Sequence, residues 1–442
     1  MSRFNSGYGG VPSLAESWEQ KDELTWEFSL RDDVVFHNGE VFTASDVKFT
    51  FDRLLDPQTS APGAFMLASV DEVTIVDEQT VQIKTKEQFA PILYNLTHVA
   101  TSILNEKAVE EAGDQYGVNP VGTGPFKFVQ WNRNSQIVMG KFEEYFEGPA
   151  EIDEIVFRVI PESATAVAEL RTGGVDLVLD IPASQINTLE SADNVHVDTV
   201  PGFEVKYLSF DHRQEPFNNP QVRKALNYAI NKEALVSAAY RGTAIPATGP
   251  LAPGINGAND SLSGYEYDPE KAKQLLAEAG FADGFKTDLY LSDADIDVQI
   301  ATIIQADLAK IGVEVDLQVT EWGAFLDITG QGVPMFILSW ITVTGDADNG
   351  MYALFHSDNA GGAGNRSFYS NEDVDRLLDA GRAETDHEQR VANYHEAQEI
   401  IVEDAPWAFL AVSQNLVGVH ERVQGFVNMP TQNYKLYPVS VQ

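Results

Sequence analysis

Two carboxylates two residues apart, Asp346 and Asp348, stand in a turn that follows an apolar stretch and precedes an aromatic one. Such carboxylates can hold an ammonium group by charge-assisted hydrogen bonds, which strengthen when water is excluded. The neighbours that could add an apolar wall, hydroxyl groups and backbone amides are Trp340, Thr342, Thr344 and Gly345. This composition is typical of a loop that faces a ligand, and we predict ligand contact for these residues. The alternative is a solvated turn whose aspartates cap a helix, with Trp340 in the core.

A second candidate contact is Arg366, which follows a glycine-rich run and stands beside Asn365. An arginine there can pair bidentately with a ligand carboxylate, and few other arginines stand near the proposed site. We therefore add Asn365 and Arg366 to the predicted ligand-binding residues. The alternative is a surface arginine that neutralises nearby acidic groups.

No pattern in the chain assembles into catalysis. The sequence has no cysteine, no His-Glu-x-x-His metal motif and no Gly-x-Ser-x-Gly nucleophile turn. The glycine-rich segment 122–125 lacks the Lys-Ser/Thr pair of a phosphate loop, and Pro125 lacks the N–H that such a loop uses. Asp293, Asp295 and Asp297 fit a solvated loop better than a cation site. We expect no catalytic residue, no metal and no cofactor.

The elements that must position these residues alternate between strands and helices. Strands are predicted from period-two alternation or short apolar runs at 24–31, 34–36, 155–160, 289–291, 313–319, 335–339 and 409–412. Helices are predicted from capping residues followed by apolar residues at helical spacing, beginning at Thr43, Asn219, Asp268, Ser370 and Asp386. The helix from Asn219 is expected to run through Leu235 and to end before Gly242. Mixed strands and helices indicate an α/β architecture.

The length and the net charge of the chain narrow the classes of protein to which it can belong. A chain of 442 residues with 43% apolar residues exceeds what one core usually serves, so we expect at least two lobes. Its 67 acidic and 29 basic residues give a formal net charge of -38, which repels phosphate backbones and anionic lipids. Nucleic-acid binding is therefore not expected. We interpret the charge as adaptation to concentrated salt, with a ligand-attracting acidic field as the alternative. No apolar run reaches membrane-spanning length, and residues 1–8 contain no signal core.

Several short segments, in order along nearly the whole chain, resemble the peptide-type solute-binding proteins of ABC importers. The segments are 14–18, 30–39, 42–47, 120–131, 217–232 and 405–407. Within that family, 241–250 and 340–348 look most like the glutathione-binding subgroup. Dipeptide and oligopeptide receptors usually carry an aspartate three residues after the equivalent of Trp340, to grip the peptide ammonium, and this chain has Val343 there. The resemblance therefore does not extend to a standard dipeptide clamp.

The resemblance implies a two-lobed α/β fold of the type II periplasmic-binding-protein kind, whose lobes close on a ligand by hinge motion. It implies a discontinuous first lobe, 1–203 plus 414–442, and a second lobe, 204–413. The lobes would be joined by a hinge of crossing strands near 201–207 and 413–418. Family members usually begin with an additional strand and helix before the segment at 14–18, so we expect the opening part of the first lobe to be missing.

From these observations we predict a receptor of an ABC transporter and not an enzyme. It would capture a short peptide, with glutathione as a candidate, in the cleft between its lobes and deliver it to the membrane permease. We expect a monomer in an extracytoplasmic location, in the periplasm or at the cell surface, with a lipid anchor as an option and no export signal in this chain. The alternatives are another cargo, such as a cationic solute, a nickel chelate or an oligosaccharide, and an extracellular hydrolase with paired carboxylates.

Overall fold

The computed structural model describes residues 2–4, 10–179 and 181–442. Of residues 1–8, where we expect no signal core, residues 1 and 5–8 lie outside the described residues. The chain forms two compact units. Unit 1 comprises Met1–Asp198, Leu416–Met429 and Asn433–Gln442, and unit 2 comprises Thr199–Asn415 and Pro430–Gln432. The lobe limits 1–203 with 414–442 and 204–413 stay a prediction.

Strands are distributed along the whole chain. In chain order they are β1 (Ser2–Phe4), β2 (Gly10–Pro12), β3 (Ala15–Gln20), β4 (Thr25–Leu30), β5 (Val70–Asp77), β6 (Thr80–Thr85), β7 (Phe126–Asn132), β8 (Gln136–Lys141), β9 (Glu154–Arg158), β10 (Leu177–Leu179), β11 (Val195–Phe210), β12 (Ala244–Pro246), β13 (Phe285–Ser292), β14 (Val313–Thr320), β15 (Met335–Ile341), β16 (Trp407–His420), β17 (Val423–Gln424) and β18 (Ser440–Val441). Two of them, β11 and β16, carry the chain from one unit to the other.

The two longest helices of the described residues belong to unit 2. In chain order the α-helices are α1 (Ala44–Leu55), α2 (Ile92–Asn95), α3 (Glu106–Ala112), α4 (Ser163–Thr172), α5 (Ile186–Glu190), α6 (Pro220–Ala229), α7 (Lys232–Ala239), α8 (Pro269–Glu278), α9 (Asp295–Ala309), α10 (Trp322–Gln331), α11 (Ala347–Phe355), α12 (Glu372–Ala383) and α13 (His387–Asp404). Short 3-10 turns lie at Pro62–Leu67, Val99–Thr101, Gly113–Val118, Ala183–Gln185 and Ser357–Asn359.

Antiparallel sheets organise unit 1, with the strand orders β3-β4-β6-β5 and β7-β8-β9. Apolar residues of the first sheet and of α1, including Phe28, Ile83 and Phe51, form one buried cluster. The buried carboxylate of Asp46 accepts hydrogen bonds from the N–H of Thr43 at 3.0 Å and from the N–H of Glu106 at 3.1 Å. Because these N–H groups lie at the starts of α1 and α3, one side chain joins the two helix ends.

A mixed sheet organises unit 2, with the strand order β16-β11-β15-β13-β14 and β12 paired to β16. β15 is antiparallel to β11, whereas β13 is parallel to both β14 and β15. Successive residues of a strand face opposite sides, and Leu208 joins the main apolar cluster of this unit. Its neighbour Tyr207 stacks on Trp407, with ring centroids 3.5 Å apart, and Phe355 of α11 packs on Trp407. Both faces of this sheet are therefore covered.

Most of the predicted elements are confirmed. The strands predicted at 24–31, 155–160, 289–291, 313–319, 335–339 and 409–412 correspond to β4, β9, β13, β14, β15 and β16. The helices predicted from Thr43, Asp268 and Asp386 correspond to α1, α8 and α13. The helix predicted from Ser370 begins one residue later, because the side chain of Asn371 accepts the free N–H groups at its start.

Three local predictions are wrong. Residues 34–36 form no strand, and only Val35 makes an isolated bridge, with Val41. The single helix predicted from Asn219 is divided into α6 and α7, because the side chain of Asn231 accepts the N–H of Ala234 and starts a new helix. Asp295 and Asp297 lie in the first turn of α9 and not in a solvated loop, and Asp297 is buried.

Candidate functional site

The segment 340–348, called here the tryptophan loop, joins β15 to α11. The buried run at the start of β15 brings the chain to this point, and α11 begins at Ala347. The N–H of Thr342 donates to the carbonyl of Phe203 on β11 at 3.0 Å, and the N–H of Gly345 donates to the carbonyl of Thr342 at 3.0 Å. Gly345 has a φ of +67°, which glycine adopts without strain. Backbone hydrogen bonds therefore define the shape of the loop.

Asp346 is fully buried at the N-cap of α11. The guanidinium of Arg390 on α13 donates to both of its carboxylate oxygens, at 2.5 Å to Oδ1 and 2.7 Å to Oδ2. Arg390 also donates from Nε to the carbonyl of Gly381, in the last turn of α12, at 3.0 Å. Burial disfavours the charge, but the attraction of Asp346 and its hydrogen bonds raise the pKa of Arg390 above its ordinary value. The hydrogen bonds of Arg390 to Asp346 and Gly381 join the ends of three helices.

Asn256 attaches the same turn to a second segment of unit 2. Its Nδ2 donates to Asp346 Oδ2 at 2.9 Å. Its backbone N–H donates to the carbonyl of Gly345 at 2.9 Å, and its carbonyl accepts the N–H of Ala347 at 2.9 Å. Backbone and side-chain hydrogen bonds thus fix both the turn and the carboxylate that caps the helix.

Asp348 makes a second ion pair beside the first. Nε of Arg382 on α12 lies 3.1 Å from its Oδ1, and the hydroxyl of Tyr394 donates to the same oxygen at 3.4 Å. Burial raises the pKa of Asp348, and the charge of Arg382 acts in the opposite direction. We call Asp346, Asp348, Arg382 and Arg390 the aspartate–arginine cluster. Its two aspartates and two arginines have formal charges that sum to zero.

The aspartate–arginine cluster bears on the predicted role of Asp346 and Asp348 as ammonium ligands. Both carboxylate oxygens of Asp346 accept hydrogen bonds from protein donors, and its side chain is only 1% exposed. Asp348 is 9% exposed and lies beside Arg382. The structure therefore gives both residues a role in shaping the loop, and their contact with a ligand stays a prediction.

Trp340 is the predicted loop contact whose side chain is partly exposed, whereas Thr342, Thr344 and Gly345 are buried. Its indole N–H donates to the carbonyl of Asn349 on α11 at 3.1 Å. The side-chain oxygen of Asn349 accepts the N–H of Val343 at 3.1 Å. The parts of the loop that reach solvent, Trp340, Ile341 and Val343, are thus apolar, and Asn349 holds two of them.

Asn365 and Arg366 lie on a separate hydrogen-bonded turn. Asn365 is fully buried, and its Nδ2 donates to the carbonyl of Tyr369 at 2.7 Å. Arg366 is 8% exposed and donates from Nη1 to the carbonyl of Leu326 at 2.5 Å and to the hydroxyl of Thr329 at 2.8 Å. Burial lowers the pKa of Arg366. Within residues 2–4, 10–179 and 181–442, no carboxylate forms an ion pair with this guanidinium.

Sequence reasoning missed the residues that hold the tryptophan loop, namely Asn256, Asn349, Arg382 and Arg390. Arg390 carried a detectable signal, because it stands four residues before Tyr394 and so lies on the same face of α13. Tyr394 is buried, so an arginine on that face must be buried with a partner. Asn256 carried no such signal, because only the fold brings it to Asp346.

Two further findings concern the described part of the chain as a whole. Among its residues, no group of three or more His, Asp or Glu side chains is placed to hold a metal ion. None of its helices combines the length and the hydrophobicity that a membrane crossing requires.

Comparison with known proteins gives a consistent set of matches. A sequence profile described as bacterial extracellular solute-binding proteins, family 5 Middle, matches residues 10–362. The glutathione-binding protein GsiB of Pectobacterium atrosepticum is 35% identical over 427 residues, which cover 94% of this chain and 83% of that protein.

Solved structures agree in fold over the whole chain. The structure of HbpA2 from Haemophilus parasuis aligns with a TM-score of 0.91 at 30% identity, covering 100% of this chain and 93% of that chain. The periplasmic binding protein DppA from Helicobacter pylori, in complex with the peptide STSA, aligns with a TM-score of 0.83 at 33% identity, covering 100% and 91%. The fold is that of the two-lobed type II periplasmic binding proteins.

Proposed function

The chain belongs to family 5 of the bacterial extracellular solute-binding proteins, and from this premise we propose that it is the receptor of an ABC transporter. In this role it captures a short peptide, with glutathione as the first candidate, and delivers it to a membrane permease. Its relatives are binding proteins, and we propose that this chain likewise binds its ligand without changing it.

The observation that carries the proposal is the extent of the likeness to a glutathione-binding protein, 35% identity over 94% of this chain. A relative that aligns over 100% of this chain holds a peptide. Both likenesses extend through most or all of the chain, so they support a shared class of ligand better than a match confined to one motif would. Fold alone would not support this step.

For ligand contact we propose the residues predicted from the sequence, which are Trp340, Thr342, Thr344, Gly345, Asp346, Asp348, Asn365 and Arg366. Trp340 has the strongest support, because its ring is partly exposed while its N–H is held by Asn349. A fixed, amphipathic ring offers contact area at little entropic cost. Arg366 is supported by its charge, because a largely buried guanidinium that forms no ion pair among the described residues favours an anionic group nearby.

The proposal also covers the location of the protein, its oligomeric state and its partners. The description of the family as extracellular supports a location outside the cytoplasm, in the periplasm or at the cell surface. We propose a monomer whose macromolecular partner is the permease and which does not bind nucleic acid, because a net charge of -38 repels phosphate. We also propose that the acidic surface is an adaptation to high salt.

Binding and turnover measured on the same samples test the proposal. We expect glutathione or the peptide Ser-Thr-Ser-Ala to give heat in a titration and to raise the unfolding temperature, with the ligand recovered intact. At a ligand concentration of about 100 times Kd, the native state gains about 2.7 kcal/mol. Glycine, which has both charged ends but no peptide bond, is the control ligand and is expected to give neither effect.

Other outcomes decide between the alternatives. Stabilisation by a polyamine, a nickel–histidine complex or an oligosaccharide, with no response to either peptide, would indicate that the protein is a receptor for a different class of ligand. Cleavage products from a peptide or a glycoside would favour the hydrolase. The first result contradicts the peptide proposal, and the second contradicts the absence of catalysis.

A further inference from the structure

A series of hydrogen bonds leads from Arg390 to the ring of Trp340. Arg390 binds both carboxylate oxygens of Asp346, which caps α11. Asn349 lies in the first turn of that helix, and its own N–H donates to the carbonyl of Asp346 at 3.2 Å. The carbonyl of Asn349 accepts the indole N–H of Trp340 at 3.1 Å. The position of Asp346 therefore determines the position of the group that holds the indole.

The shape of the arginine side chain is essential to this arrangement. One guanidinium donates hydrogen bonds to both oxygens of Asp346 and to the carbonyl of Gly381 at the same time. A lysine keeps the charge but, as a point charge on a flexible stem, cannot reproduce this fork. Arg390 is 4% exposed and Asp346 is fully buried, so water cannot replace a lost bond. Arg390→Lys is therefore expected to displace Asp346 and not merely to weaken an ion pair.

We infer that Arg390 is a positioning residue for ligand binding, which acts through Asp346 and Asn349 to orient the ring of Trp340. The inference rests on the proposed function, because Trp340 is a proposed ligand contact. Arg390 itself is buried, and its guanidinium donates to Asp346 and to the carbonyl of Gly381, so its role is to position other groups. The neighbouring pair of Arg382 and Asp348 supports the same helix start, since Asp348 follows the cap by two residues.

The test observes Trp340 directly and without ligand. The chain has six tryptophans, so 19F NMR of protein labelled with 5-fluorotryptophan is expected to give six signals. The variant Trp340→Phe identifies the signal of Trp340. We expect Arg390→Lys to shift or broaden that signal while those of Trp18 and Trp26, in unit 1, stay in place. We expect the same variant to bind glutathione at least tenfold more weakly than the wild type.

Arg223→Lys is the matched control. Arg223 is also a buried arginine of unit 2, and it donates to the carbonyls of Phe217, Asp404 and Ala405. Its replacement is expected to lower the unfolding temperature. At a temperature well below both midpoints, the Trp340 signal and the affinity for glutathione are expected to be unchanged. If Arg390 only stabilises the fold, Arg390→Lys and Arg223→Lys should both leave the Trp340 signal and the glutathione affinity unchanged. If Arg390 positions Trp340, only Arg390→Lys should change them.

A second variant keeps the test decisive if Arg390→Lys does not fold. Asp346→Asn retains an oxygen to cap α11 but loses its charge for Arg390, and it is expected to move the Trp340 signal too. The double variant Asp346→Asn with Arg390→Gln removes both charges and is expected to recover part of the affinity that Arg390→Gln loses.

Three results separate this inference from the proposed function. An unmoved Trp340 signal and unchanged glutathione affinity in Arg390→Lys or Asp346→Asn would overturn the inference. A moved signal with unchanged affinity would also overturn it, because Trp340 would then be positioned without consequence for binding. A wild type that binds no peptide would refute the proposed function and, with it, the claim that Arg390 serves ligand binding.

Discussion

Lys206 on β11 and Asp297 on α9 form a buried ion pair, with Nζ 2.8 Å from Oδ1 and side chains that are 10% and 6% exposed. The hydroxyl of Ser292 donates to the other oxygen of Asp297 at 2.6 Å. The pair anchors the first turn of α9 to the strand that lies beside β15. The carboxylate also faces the start of its own helix, where a negative charge is favourable.

Removal of this carboxylate is expected to destabilise the protein strongly. Asp297→Ala leaves the ammonium of Lys206 buried without a partner, which typically costs about 3 to 5 kcal/mol of the free energy of unfolding. Urea denaturation followed by circular dichroism measures the loss. The control is Glu270→Ala, which removes the exposed partner of Lys273 on α8 and is expected to cost about 1 kcal/mol or less. Equal losses in the two variants would contradict this account.

His212 is expected to make stability depend on pH below neutrality. Its ring packs edge-on against Tyr369, with centroids 5.3 Å apart, and its Nε2 has no hydrogen-bond partner among the described residues. Burial, with a smaller effect from Arg223, lowers the pKa of His212 from 6.5 to about 3. Between these values the unfolded chain binds the extra proton and the native state does not. The contribution is therefore complete above pH 6.5 and is lost as the pH falls towards 3.

The size of this effect can be isolated by substitution. Relative to pH 7, we expect His212 to account for a loss of up to about 2 kcal/mol at pH 5, since each unit below the unfolded pKa costs about 1.4 kcal/mol. Unfolding free energies at pH 7 and pH 5 are compared for the wild type and His212→Asn. The difference between the two pH values is expected to be smaller in the variant. If the wild type and the variant lose the same unfolding free energy between pH 7 and pH 5, other titratable groups cause the pH dependence of stability.

The acidic surface is expected to make stability rise with salt. A net charge of -38 destabilises the compact state by self-repulsion, and ions screen that repulsion. We expect the unfolding temperature to rise steadily as KCl is increased from about 0.1 to about 1 M, where the screening length falls from about 10 to about 3 Å. Sucrose at matched osmolality is the control, because it favours compact states without screening charge. A rise equal to that in sucrose, or none, would speak against adaptation to salt.

Local sequence signals were sufficient for elements whose ends are defined by their own residues. Asp268 and Asp386 accept N–H groups of the helices that follow them, so α8 and α13 could be located from the sequence. The break between α6 and α7 could not be located, because the apolar spacing of Leu226, Ile230 and Leu235 continues through it. There the N–H of Asn231 donates to Asp307, a tertiary contact that periodicity cannot reveal.

In the candidate site, too, features set by local sequence could be predicted and features set by tertiary contacts could not. The resemblance and the turn chemistry located the tryptophan loop, and Asp346 does cap a helix. The partners of its carboxylate were not predictable, because Arg390 and Asn256 are 44 and 90 residues away along the chain. In an acidic chain, two aspartates in one turn are expected to be exposed to water, and the arginines of α12 and α13 help to explain why these two are buried.

Arg366 provides the most discriminating test of the proposed ligand contacts. If its guanidinium binds a ligand carboxylate, Arg366→Gln loses about 1.5 to 3 kcal/mol of binding, which is tenfold or more in Kd for glutathione. Its hydrogen bonds to Leu326 and Thr329 are also lost, so the variant can bind more weakly through a displaced loop alone. Glutathione monoethyl ester, in which one carboxylate is neutral, separates the two causes. The wild type is expected to prefer glutathione over the ester by tenfold or more, and Arg366→Gln to lose that preference. Equal weakening for both ligands would mean that the variant perturbs the site without having contacted this carboxylate.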